Sequence, residues 1–199
     1  GGTLANFPQD GGREFQIATN RFSAEVGRSA SSIINIVTKS GTNDLHGSAF
    51  IFFRHKELQG LPATLSREVV QREGVPPFDR EQIGGSIGGP FIRDRAFWFV
   101  ALENRNQDNA VEVVRRNLAA QRVENTFAPG FLDDFMLTSR TDFKLSERNN
   151  LAFRYSFNRN LELAAASLRR PIGTSSQRQE SFNRFHSILA DWTSVISPT

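Results

Sequence analysis

The chain has 199 residues, with 24 Lys and Arg against 21 Asp and Glu, so its formal net charge is +3. It contains no Cys, which excludes a disulfide scaffold and thiol chemistry. No run reaches the roughly 18 apolar residues that a membrane-spanning helix requires, whereas the strands of a membrane barrel alternate and score as mildly polar. Composition is therefore compatible with a β-rich protein, either in water or in a membrane.

The two ends of the chain resemble loops. It opens on Gly1 rather than Met, carries no apolar secretory signal at its start, and closes on Pro198-Thr199. We expect the sequence to be a segment of a longer chain.

Two strands and a helix are predicted before residue 44. Arg13–Thr19 alternates in polarity and predicts a strand, and Asn20–Arg28 predicts a short helix that Gly27 closes. Ile33–Lys39 is rich in β-branched residues and predicts a buried strand. The cluster Ser40-Gly41-Thr42-Asn43 then predicts a tight turn.

Six further segments predict the strands of one larger sheet. Most are close to the length of about ten residues that a tilted strand needs to cross a bilayer. They are His46–Arg54, Glu81–Phe91, Ala96–Asn106, Phe135–Ser146, Asn150–Asn160 and Ser181–Ile196.

The connections between these strands alternate between long and short. The long ones are His55–Arg80, Gln107–Asp134 and Leu161–Glu180, and the short ones are Ile92–Arg95 and Glu147–Asn149. An up-and-down barrel gives this pattern when one rim has tight turns and the other has large loops. A soluble sandwich rarely places structureless loops of more than about 15 residues at every second connection. The pattern predicts an antiparallel meander.

The hairpin around Glu147–Asn149 allows a prediction of register. If the turn has three residues and the apolar faces of the two strands match, Phe143 lies opposite Phe153 and Asp142 lies opposite Arg154. Asp142 and Arg154 would then form an ion pair on the face toward a watery barrel interior. Asn149 would take the left-handed conformation that often ends such a turn. A soluble sheet would show the same alternation, so periodicity alone does not decide which face meets lipid.

Four strings occur together in these strands and turns: INIVTKSGTN at 34–43, HGSAF at 46–50, QIGGSIGGP at 82–90 and AFWFVALE at 96–103. In this order they resemble the TonB-dependent outer-membrane receptors, especially their Oar-like subgroup. The resemblance implies that residues 1–43 are the C-terminal part of a plug domain. It implies that residues 44–199 are about the first six strands of a transmembrane β-barrel. That family usually has paired glycines before the last plug strand, where this chain has Ser31-Ser32.

The same resemblance implies a function in the bacterial outer membrane. The full-length chain would take up an unknown ligand with the help of an energy-coupling protein, and it would need neither a catalytic residue nor a cofactor. Six arginines assigned to the outer loops are candidates for contact with lipopolysaccharide among the outer-membrane lipids: Arg105, Arg115, Arg116, Arg122, Arg169 and Arg170.

Two other classes of protein fit some of the residues. One is a soluble β-rich binding or adhesion module. The other is a serine hydrolase, because Gly84–Gly88 fits G-x-S-x-G around Ser86, and acidic residues and His186 follow in the appropriate order. A nucleophile elbow requires a helix directly after the serine, whereas Gly89-Pro90 and a hairpin follow here. Glycines in a strand also allow curvature or close packing.

Neither a metal site nor a nucleic-acid partner is predicted. His46, His55 and His186 lie far apart and show no ligand spacing. The basic balance is compatible with nucleic-acid binding, but the arginines are dispersed and 21 acidic residues offset them.

Overall fold

The structure is a computed structural model that describes residues 6–19, 32–58, 60, 67–117, 121–163 and 180–196. These residues form a two-stranded sheet and a six-stranded sheet, both antiparallel. The predicted helix at Asn20–Arg28 lies outside the described residues.

The small sheet pairs β1, Gly12–Thr19, with β2, Ser32–Thr38. A short 3-10 turn, Gln9–Gly11, precedes β1. Both strands agree to within one residue with the predicted strands Arg13–Thr19 and Ile33–Lys39, because alternation and β-branched side chains suit an extended backbone.

The large sheet is a meander in which every strand pairs with its neighbour in the chain. All six predicted strands are present, and the predicted antiparallel up-and-down topology is confirmed. The strands are β3 (His46–His55), β4 (Phe78–Ile92), β5 (Ala96–Asn117), β6 (Arg122–Ser146), β7 (Asn149–Leu163) and β8 (Glu180–Ser194).

The prediction of a long loop at Gln107–Asp134 is wrong. β5 and β6 have 22 and 25 residues, and their pairing continues from Gln107 opposite Leu132 to Asn117 opposite Arg122. This length is about twice what a bilayer requires, so the hairpin extends well beyond a membrane. The alternation in Val111-Glu112-Val113 is the local signal for the extension.

The connection between β3 and β4 contains a 3-10 turn at Lys56–Leu58 and a short helix, α1, at Arg67–Glu73. The helix packs beside β6. None of the helices in the described part of the chain is long and apolar enough to cross a membrane.

The hairpin of β6 and β7 keeps the predicted faces but not the predicted register. Phe143 lies opposite Leu151, and Phe153 lies opposite Thr141, which is two residues from the predicted pairing. Phe143 and Phe153 still share a face, where their ring centroids are 6.5 Å apart in an edge-on arrangement.

A tighter turn explains the shift. Ser146 lies opposite Asn149, so only Glu147 and Arg148 form the turn, and the pairing is irregular between Lys144 and Ser146. An extra residue on one strand restores the matching of faces that a two-residue turn would otherwise reverse. Asn149 does not have the predicted left-handed backbone; among the described non-glycine residues, Asp94 and Gln121 have positive φ.

The large sheet has an apolar face and a polar face. Its apolar face, here called the outer face, exposes large side chains: Ile51, Phe53, Ile83, Ile87, Leu102, Phe153, Ile188 and Trp192. The opposite, inner face buries polar ones: Gln82, Glu103, Asp134, Thr138, Ser156, Asn158 and Asn160. This distribution is the reverse of that in a water-soluble sheet, and it is typical of a transmembrane barrel wall.

Gly41, in the turn after β2, allows a test of the close packing on the inner face. A side chain at Gly41 would collide with the backbone oxygen of Trp98 and lie 2.7 Å from that of Gly89. We expect Gly41→Ala to destabilise the full-length protein by about 2 kcal/mol, because two backbone segments must move. Thermal unfolding in detergent measures this loss. Gly60→Ala is the matched control, since a Cβ there meets nothing within 4 Å. Equal losses in both variants would contradict the packing.

A second prediction concerns the edges of the large sheet. β3 and β8 each pair on one side only in the described chain, and the outer face is apolar and exposed. We expect the isolated 199-residue chain to self-associate in buffer and to need detergent, because open edges and apolar patches promote aggregation. Light scattering after size-exclusion chromatography measures this, and a clean monomer with cooperative unfolding would argue for a soluble module.

Candidate functional site

The first described residues lie on the inner face of the large sheet. We call this contact the junction; it joins residues 6–11, together with Thr38–Gly41, to β3–β6. Hydrogen bonds link the two parts at three carboxylates, which belong to Asp10, Glu103 and Asp134. An arginine of β6 adds a fourth contact. Each of these contacts joins residues far apart in the sequence.

Asp10 anchors the 3-10 turn to the first two strands of the large sheet. Its carboxylate pairs with the Lys39 ammonium at 2.5 Å and accepts a hydrogen bond from the Ser86 hydroxyl at 2.6 Å. The Ser48 hydroxyl donates to the same carboxylate oxygen as Ser86. One acidic side chain therefore joins Lys39, directly after β2, to β3 and β4.

Glu103 holds the backbone of the same turn. Its side chain is only 2% exposed and accepts hydrogen bonds from the Gln9 backbone N–H and from the Gln82 amide, both at 2.7 Å. A buried carboxylate needs such donors, because losing them would leave a desolvated charge without a partner. Glu103 therefore favours the docked position of Gln9.

Asp134 is the most buried of the three carboxylates. It accepts hydrogen bonds from Arg105 at 2.5 Å, from Asn158 at 2.7 Å and from Asn6 at 3.0 Å. Arg105 was predicted to be an outer-loop contact, but it lies within β5 and its guanidinium pairs with Asp134. Removal of either member of such a buried pair is strongly destabilising.

Arg140 makes the fourth contact. Its guanidinium donates to Asp142 at 2.7 and 3.0 Å and, over longer distances, to the backbone oxygen and hydroxyl of Thr38. The predicted pairing of Asp142 with Arg154 as direct cross-strand partners is therefore wrong. Asp142 lies opposite Ala152, and Arg154 lies opposite Arg140, because the hairpin register is shifted by two residues.

The junction leaves space beside β2. A cavity of about 490 Å³ lies between β2 and β6–β8, and a second of about 520 Å³ lies under the turn at residues 40–43. Both cavities are lined in part by Arg140 and Asp191, and Arg154 lines the first. The described residues among the first 43 thus cover only part of the inner face.

The remaining candidate residues lie elsewhere. Arg115 and Arg116 are in the part of β5 that pairs with the start of β6, where Arg122 lies, and their side chains are outside the described set. Arg169 and Arg170 are outside the described residues altogether.

The hydrolase arrangement is absent from the described residues. Ser86 lies in the interior of β4, not between a strand and a helix. His186 lies on β8 and its ring nitrogen is 2.9 Å from the Tyr155 hydroxyl. In the described part of the chain, no three His, Asp or Glu side chains cluster in a way that could hold a metal ion.

The pKa of Asp10 is lowered from the ordinary 3.8 to about 2. Burial acts to raise this pKa, but hydrogen bonds from Lys39, Ser48 and Ser86, with the positive charge of Lys39, outweigh that effect. Because the folded-state pKa lies below the unfolded one, the carboxylate stabilises the junction above about pH 4. Its contribution, up to about 2 kcal/mol, is lost as the pH falls toward 2.

Asp10→Asn tests this linkage. The wild type should lose stability between about pH 4 and pH 2 as the Asp10 carboxylate is protonated. We expect the variant to show a smaller loss over this range, since the amide does not titrate. The unfolding temperature of the full-length protein in detergent across this range measures the difference. Glu147→Gln, in the exposed turn of the β6–β7 hairpin, is the control and should follow the wild type. Identical acid profiles for Asp10→Asn and the wild type would contradict the assignment.

The features of the large sheet define a class of protein. Its strands are long enough to cross a bilayer, its outer face is apolar, its inner face is polar, and tight turns follow β4 and β6. These are the properties of a bacterial outer-membrane β-barrel, and residues 37–128 match the family described as "Outer membrane beta barrel domain".

A relative makes the assignment narrower. The chain is 33% identical over 95 residues to the "TonB-dependent transporter Oar" of Myxococcus xanthus, a match that covers 45% of this chain and 8% of that protein. No solved structure matches. Both matches support a TonB-dependent receptor of the outer membrane, in the Oar-like subgroup.

Proposed function

We propose that the full-length protein takes up a ligand across the outer membrane. Residues 1–43 form the end of its plug domain, and residues 44–199 form the first strands of its barrel. The observation that carries this proposal is the junction, where the first residues of the chain dock on the polar inner face of the barrel wall.

The chemistry of the junction suits a plug that must move. Asp10, Glu103 and Asp134 hold the first described residues against the barrel strands by hydrogen bonds. Water can replace each partner once the plug shifts, so the net cost per contact is only about 1 kcal/mol. An energy-coupling partner of the full-length chain would supply the work that separates them, as the name of the Oar relative implies for that protein.

The proposed orientation follows from the connections. In outer-membrane barrels the short turns face the periplasm and the long connections face outward. The turns Arg93–Arg95 and Glu147–Arg148 therefore lie on the periplasmic side, and the extension of β5 and β6 projects outward. In this orientation we propose that a ligand or lipopolysaccharide contacts Arg115, Arg116 and Arg122 on this extension, together with Arg169 and Arg170.

A reversible cross-link across the junction tests the mechanism. The protein segment has no native Cys, so Asp10→Cys with Ser86→Cys introduces one thiol on each side of the junction. We expect a short cross-linker with two thiol-reactive ends and a reducible disulfide spacer to stop uptake in cells that produce the full-length protein, and reduction of the spacer to restore it. Uptake is measured as the energy-dependent depletion of compounds from the medium, compared with cells that lack the gene.

The control pair is Ser48→Cys with Ser86→Cys. The hydroxyls of these two residues are 3.1 Å apart on neighbouring barrel strands, so a cross-link there joins the barrel only to itself. Uptake should continue in this variant. Unchanged uptake after cross-linking of the first pair would mean that the junction need not open.

A further inference from the structure

Two arginines face each other on the outer face of the sheet. Arg159 of β7 lies directly opposite Arg184 of β8, and both side chains are exposed. They lie toward the ends of these strands that lead to the long connection, away from the tight turn at Glu147–Arg148. Neither arginine belongs to the junction or to the candidate outer-loop set.

Aromatic rings surround the pair along both strands. The Arg184 guanidinium lies over the Phe182 ring, 5.3 Å from its centroid, on the side away from the tight turn. On the other side, Phe157 and His186 pack with ring centroids 4.9 Å apart. Amphipathic and aromatic side chains collect where the bilayer meets water, so this position corresponds to the outward interface of the membrane.

The two positive charges are only partly balanced. Asp133 pairs with Arg159 at 3.2 Å. Within the described part of the chain, the contact of Arg184 is with the Phe182 ring and not with an acid. Like charges directly opposite each other destabilise a sheet. An anion held between the two guanidinium groups would relieve this repulsion.

We propose that Arg159 and Arg184 bind a phosphate group on the headgroup of an outer-leaflet lipid. The guanidinium fork matches the geometry of phosphate oxygens, and it gives up its hydration more readily than an ammonium does. Phe157 lies on the membrane side of the pair and contacts the lipid's apolar part, whereas Phe182 lies on the outward side and holds the Arg184 guanidinium. Asp133 fixes Arg159 in place. The proposal depends on the outward orientation given above, but not on whether the protein transports a ligand.

The test uses the full-length protein in detergent and two lipids with the same acyl chains. One is bisphosphorylated lipid A and the other is its dephosphorylated form. We expect the phosphorylated lipid to bind and to raise the unfolding temperature, and the R159Q/R184Q variant to bind it at least about tenfold more weakly. Native mass spectrometry and thermal unfolding measure the two effects. Inorganic phosphate alone is the third arm and should give no comparable shift.

R148Q is the matched control. Arg148 lies in the exposed turn at the other end of the β6–β7 hairpin, so its loss should leave lipid binding unchanged. Should the double variant fail to fold, R184Q carries the test, because that side chain makes only the ring contact among the described residues. Equal binding of both lipids, equal loss in R148Q, or saturation by inorganic phosphate would overturn the proposal. Intact lipid binding in a full-length protein that supports no uptake at all would contradict only the transport function.

Discussion

Charge on the inner face of the sheet has to be satisfied without bulk water, and much of the structure depends on this requirement. Asp134 is fully buried and Glu103 nearly so, yet each accepts two or more hydrogen bonds. A buried carboxylate without donors would cost several kcal/mol, so protein donors, or water that enters when the first residues move away, must be present at each carboxylate. Some of these donors come from the barrel, and the remainder come from Asn6 and Gln9. Asn6 and Gln9 therefore help to stabilise buried charges of the barrel wall.

The glycines of β4 make this arrangement sterically possible. Side chains at Gly84 and Gly88 would project into the space occupied by the Phe50 and Phe99 rings. Their absence lets β4 pack closely against its neighbours, while Ser86 between them still reaches Asp10. The G-x-S-x-G string therefore has a packing explanation that needs no catalysis.

The strands could be predicted from the sequence, whereas the contacts between distant segments could not. Alternation in Asn150–Asn160 and the β-branched run at Ile33–Lys39 are local properties, and local properties decide whether a segment is extended. The contact of Asn6 with Asp134 joins residues 128 positions apart, and no short sequence pattern predicts it. The predicted register of the β6–β7 hairpin is wrong for a local reason. A single irregular residue near Leu145 changes the pairing of the whole strand.

The extension of the β5–β6 hairpin was predicted as a loop, and its form has a mechanical consequence. Its ladder of backbone pairs runs unbroken from Ala96 opposite Phe143 to Asn117 opposite Arg122. Arg105 and Asp134 are themselves partners in that ladder. The outermost strand pairs and the carboxylate that holds Asn6 are therefore joined by one continuous ribbon. A force applied to the end of the ribbon at Asn117 and Arg122 reaches Asn6 without crossing a flexible loop.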